Sequence, residues 1–145
     1  MVIDRLIFKQ YLESNRVSLQ EYLGNQYISV TYLENPTLES IKETIDEVKK
    51  LSKESNCIKV VMDARIVKQF PSLTDAFNFS QFLTKVVMQR GTKWAWIINK
   101  RDTASTRFVS NVVYNLRLTN KIFYNMDDAQ KWLIRVRFIR KIHLH

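Results

Sequence analysis

Cys57-Ile58-Lys59-Val60-Val61-Met62-Asp63 is the stretch on which the fold turns. Ile58, Val60, Val61 and Met62 leave almost no polar face, the pattern of a strand covered on both sides. Such a strand belongs in the middle of a sheet. A second β-rich run, Thr92-Lys93-Trp94-Ala95-Trp96-Ile97-Ile98-Asn99, and a shorter third, Lys121-Ile122-Phe123-Tyr124-Asn125, follow it. Helix-like segments separate all three. Strands that alternate with helices in this way build a layered sheet whose strands run largely parallel.

The intervening segments carry their own punctuation. Phe70-Pro71-Ser72 opens a helix with Ser72 and Asp75 spaced as a capping box, and Gly91 closes it after Arg90. Asp102 or Thr103 caps the next, whose Ala104, Phe108, Val109, Val112, Val113 and Leu116 fall on one face. Met126-Asp127-Asp128 leads into a last helix with Ala129, Trp132, Leu133 and Val136 inward. On the amino side, Asn35-Pro36 suits an N-cap and first helical position, and Leu38, Ile41, Ile45, Val48 and Leu51 follow at helical spacing. Its outer face mixes charges, with Asp46 and Lys50 four residues apart as a favourable pair. Earlier still, β-rich runs at 16–23 and 26–33 flank Gly24-Asn25, a hairpin signal. Leu6 to Leu12 reads equally as a short helix or a strand.

The expected fold is therefore α/β: one layered domain over residues 1–145, with about five strands, partly parallel, an N-terminal hairpin and four helices. Residues 1–15 form an N-terminal extension and 135–145 a basic tail. A length of 145 residues suits one domain. Two glycines, two prolines and 46% hydrophobic residues exclude disorder and collagen-like repeats. No apolar run is long enough to span a bilayer, and Asp4 and Arg5 interrupt the start, so a soluble, cytoplasmic protein is expected. Cys57 is the single cysteine, which excludes an intrachain disulfide or a cysteine-built zinc site. His143 and His145, the two histidines, close the chain. There is no internal histidine, glycine-rich phosphate loop or nucleophile elbow, so neither an enzyme nor a cofactor is expected.

Charge is uneven along the chain. Residues 1–75 carry ten Lys/Arg against eleven Asp/Glu, and residues 76–145 carry thirteen against three. The whole excess of +9 lies in the second half. A one-sided basic field attracts acidic proteins, phosphates, nucleic acid or anionic lipid.

Two local signatures resemble a known family. Val60-Val61-Met62-Asp63-Ala64-Arg65 is a strand closing on Asp-x-Arg, and Ile122 to Leu133 is a short strand running into a helix with Ala-x-x-Trp-Leu. Together with the element order, over about residues 17–134, they resemble bacterial STAS-like (SpoIIAA-like, anti-sigma factor antagonist type) domains. The resemblance implies a small cytoplasmic module acting by protein–protein contact. It also implies a phosphorylated Ser or Thr where a helix follows a central strand, in an Asp-Ser-x-Gly string. Here that region reads Phe70-Pro71-Ser72-Leu73-Thr74-Asp75, without the string or its glycine, like relatives that lack the switch.

In a parallel sheet, ligands gather beyond the carboxyl ends of the strands. Asp63, Arg65, Ser72, Thr74, Lys100 and Arg101 all fall there, as a rim for a protein partner or a small anionic ligand. In the plainer reading Asp63 and Arg65 pair with each other, and the hydroxyl residues are helix caps. Other partners consistent with the sequence are a second copy of the chain, and lipid or nucleic acid through the basic half. An apolar ligand beside Phe77, Phe79 and Phe82 is a further alternative. Trp94 and Trp96 share one side of their strand and read as core.

Overall fold

The computed structural model describes residues 15–70, 78, 79, 81, 92–100, 103–116 and 119–134, the side chains of 103–106 excepted. Five strands are laid out in chain order: β1 (Asn15–Tyr22), β2 (Asn25–Tyr32), β3 (Lys59–Asp63), β4 (Lys93–Ile97) and β5 (Asn120–Phe123). β1 and β2 are antiparallel, and β2, β3, β4 and β5 are parallel neighbours. The strand read as central from its apolar run is the middle one.

The described helices are α1 (Leu38–Ser55), α2 (Thr103–Asn115) and α3 (Met126–Leu133). Three are seen where four were expected; the remaining one, over 72–90, lies outside the described residues except at 78, 79 and 81, which are helical. The boundary residues Asp102 and Gly91 also lie outside them, as do the extension up to residue 14 and the tail from 135 onward.

Alternation along the strands sorts side chains into two cores. Ile28, Val30, Val60, Met62, Trp94 and Trp96 face α1, Phe79 and α2. Tyr27, Val61, Ala95 and Ile97 face α3, whose Ala129 and Leu133 are fully buried. Trp94 and Trp96 are thus core, as their spacing suggested. Trp96 is packed edge-on by Phe79 at 6.4 Å and its Nε1 donates to Asn120 Oδ1 at 2.8 Å, so its one polar atom is satisfied inside the core. Phe79 lies within this core and does not contribute to an uncovered patch. Phe77 and Phe82 lie outside the described residues.

Local chemistry moves two boundaries. The hairpin turn is Leu23-Gly24, not Gly24-Asn25: Tyr22 pairs with Asn25, and Leu23 and Gly24 have φ of 51° and 79°. Two positive φ values make a type I′ turn, and glycine sits at its second position. Asn25 Nδ2 then closes on the Leu23 carbonyl at 3.1 Å. Helix α1 begins at Leu38 because Thr37 is its N-cap, in a reciprocal box with Ser40. Asn35 is released from capping. On the outer face of α1, Lys50 meets Glu47 at 3.9 Å rather than Asp46. At its far end Asn56 takes a left-handed φ of 54° and stops the helix.

Candidate functional site

Because β2 to β5 are parallel, their carboxyl ends share one pole of the sheet, where four loops emerge side by side. Three of the residues expected on that rim are described. Asp63 ends β3 and is nearly buried, Arg65 follows in the loop, and Lys100 lies beyond β4. Ser72, Thr74 and Arg101 lie outside the described residues.

Asp63 and Arg65 pair with each other. Arg65 Nε and Nη2 donate to the two carboxylate oxygens at 2.9 and 2.8 Å, and the Arg65 backbone N–H adds a 3.3 Å contact. Hydrogen bonding to Asp63 raises the guanidinium pKa above its ordinary value. The plainer sequence reading therefore holds for this pair: the arginine neutralises a carboxylate at the strand end and leaves little net charge there. Lys100 does not join it. Its ammonium lies over the ring of Tyr124, 5.4 Å from the centroid, linking the loops after β4 and β5.

What the sequence did not reveal is the apolar content of this pole. Leu33, just past β2, is 42% exposed; Ile66, beside Arg65, is 54%; and Tyr124, just past β5, is 49%. Three of the five exposed large apolar side chains among the described residues lie here, the other two being Leu23 in the hairpin turn and Tyr114 on α2. Single exposed apolar residues are ordinary, but these follow three strands of one parallel run, and Ile66 adjoins Arg65 in the chain while Lys100 lies over Tyr124. Asn35 joins two of the loops, its Oδ1 accepting from the backbone N–H groups of Lys68 at 2.8 Å and Gln69 at 3.2 Å. Hydrophobicity alone could not have singled out Leu33 or Ile66, because each adjoins a segment that reads as strand or core.

At the opposite pole a cleft of about 470 Å³ lies between the hairpin turn and the start of β3, bordered by Glu21, Asn25, Asn56, Cys57 and Lys59. Cys57 is buried and its thiol lies 3.4 Å from the Gln26 carbonyl, a structural rather than a reactive setting. Among the described residues, no group of three or more His, Cys, Asp or Glu is placed to hold a metal ion. No described helix is long and apolar enough to cross a membrane.

No protein-family model matches the chain, and no curated protein does. Solved structures do. An uncharacterized protein of the DUF3478 family with a SpoIIAA-like fold, from Shewanella loihica PV-4, superposes with a TM-score of 0.54 at 15% identity, over 83% of this chain and 93% of that one. An anti-sigma factor antagonist from Mycobacterium paratuberculosis gives 0.53 at 15% identity, over 83% and 94%. The mixed five-stranded sheet with its flanking helices is thus a SpoIIAA-like, STAS-type fold.

Proposed function

We propose that the chain is a non-enzymatic regulatory module that captures a protein partner at the carboxyl pole of its sheet. The observation that carries this reading is the exposure of Leu33, Ile66 and Tyr124 at that pole, with Arg65 next to Ile66 in the chain and Lys100 over Tyr124. Aromatic and arginine side chains around apolar anchors are the composition of an interface centre. The likeness in fold to an anti-sigma factor antagonist supports the same reading, since that neighbour is named for action on another protein. Ser72, Thr74 and Arg101 belong to the proposed surface from the sequence, as does the alternative that a small anionic ligand binds there.

The test is proximity labelling and cross-linking in the native host, with the full chain compared against Ile66→Asp, Tyr124→Asp and Lys100→Glu. A partner lost from all three variants, with unfolding midpoints unchanged, is the expected result. Recovery of the same partners from every variant would overturn the assignment.

A further inference from the structure

We propose that single-stranded nucleic acid binds across the α3 side of the sheet, with phosphates on Lys59 and Lys121 and bases on Phe123 and Trp132. The register gathers the cations. Lys59 is the direct partner of Lys93 on the neighbouring strand, and Lys121 is the partner of Ala95, two residues along from Lys93. Side chains alternate along a strand, so all three lysines leave the face that also carries Val61, Ala95 and Phe123.

Two aromatic rings lie among them. Lys121 Nζ is 5.6 Å from the centroid of Phe123, that ring is 5.6 Å from Trp132, and Lys93 Nζ is 5.1 Å from Trp132. Cation, ring, ring and cation follow at even steps. Lys121 is exposed, and Lys59, Phe123 and Trp132 are half-buried.

The fold accounts for one of these cations. Lys93 donates to the Trp132 carbonyl at 3.4 Å, which meets the negative end of α3 and holds Trp132 in place. Among the described residues neither Lys59 nor Lys121 has an ion pair. The acids of the first turn of α3 are engaged elsewhere: Asp127 pairs with Lys131 at 2.9 Å, and Asp128 accepts from Asn125 Nδ2 at 2.9 Å. Like charges on neighbouring strands repel, and an anion relieves them.

The rings select the anion. Bases stack on aromatic side chains while phosphates sit on cations, and this face offers both in alternation. An acidic peptide would use the ammonium groups and leave the rings idle. An anionic membrane would need exposed apolar side chains to insert, and those among the described residues lie in the hairpin turn, on α2 or in the loops past β2, β3 and β5. The site does not depend on the partner surface proposed above.

The test uses the full chain and a fluorescent oligothymidine of about 15 nucleotides, followed by anisotropy at about 50 mM salt and above. Lys121→Gln is expected to weaken binding by about threefold or more and to flatten the salt dependence by about 0.7 in log–log slope. Phe123→Leu is expected to weaken it by about fivefold or more. Lys49→Gln, an equal loss of charge on the exposed face of α1, is expected to change neither, and circular dichroism is unchanged in all three. The oligonucleotide is expected to quench Trp emission in the parent chain and not in Trp132→Phe, since Trp94 and Trp96 are fully buried. No binding at tens of micromolar would overturn the proposal. So would polyglutamate binding as tightly as oligothymidine, anionic phospholipid vesicles binding where oligothymidine does not, affinity indifferent to Phe123→Leu, or an equal loss from Lys49→Gln and Lys121→Gln.

Discussion

Arg65 holds Asp63 from two residues away with a two-pronged grip, Nε on one carboxylate oxygen at 2.9 Å and Nη2 on the other at 2.8 Å. The carboxylate side chain is 11% exposed and the guanidinium side chain 45%. Removing the arginine therefore strands a nearly buried anion, whereas removing both groups does not. Arg65→Ala is expected to lower stability by about 1 kcal/mol, a figure discounted for the solvent around the guanidinium. Arg65→Lys recovers only part, because an ammonium cannot grip both oxygens. Adding Asp63→Asn to Arg65→Ala costs less than the two changes summed. Urea unfolding of the four chains checks this as a double-mutant cycle.

Asn120 performs a task that no isostere shares. Its Oδ1 accepts from buried Trp96 Nε1 while its Nδ2 donates to Thr119 Oγ1 at 2.9 Å, so one amide joins the start of β5 to the core. Asn120→Leu leaves the indole N–H without an acceptor and is expected to cost about 2–3 kcal/mol. Asn120→Asp keeps an acceptor and loses a donor. Thermal unfolding with a red-shifted Trp emission in the native state reports both.

Tyr32 is the converse case, a buried hydroxyl with no hydrogen-bond partner among the described residues, its ring met edge-on by Phe70 at 6.0 Å. Tyr32→Phe is expected to leave stability unchanged or raise it by about 1 kcal/mol. Burial also pushes the Tyr32 hydroxyl well above its ordinary value of 10.0. The folded state thus favours the neutral phenol, so the contribution is complete below pH 10 and is lost progressively above it. Stability measured between pH 9 and about 11 should fall less steeply in Tyr32→Phe than in the parent chain.

Leu23 occupies a left-handed turn position with φ of 51° and leaves its side chain 71% exposed. Leucine has no stake there and asparagine does. Leu23→Asn is expected to stabilise the hairpin by about 0.5–1 kcal/mol, read as a raised unfolding midpoint at unchanged denaturant slope.

Much of this architecture was legible because period and punctuation agree. The apolar run at 58–62 placed β3 centrally, and the spacing from Leu38 to Leu51 placed α1 with its buried face correct. The errors arose where a side chain had two competing uses. Asn35 reads as a helix cap beside Pro36, yet a threonine two residues on formed a better box and left the asparagine for Lys68 and Gln69. Asn25 reads as a turn residue, yet it closes the turn from outside. At the rim, strand order told which loops converge, but only coordinates could show Arg65 spent on Asp63 and Lys100 drawn to Tyr124.

The bond from Asn35 to the 68–69 backbone has a mechanical corollary. The segment carrying Leu33 and the one carrying Ile66 are fastened to each other, and the first of them feeds directly into Thr37 and α1. Force applied to Ile66 by a docked body is delivered to the entrance of an 18-residue helix, a strut of about 27 Å. That strut ends at Asn56, on the wall of the cleft at the opposite pole, so one helix leads from the loop carrying Leu33 to that cleft.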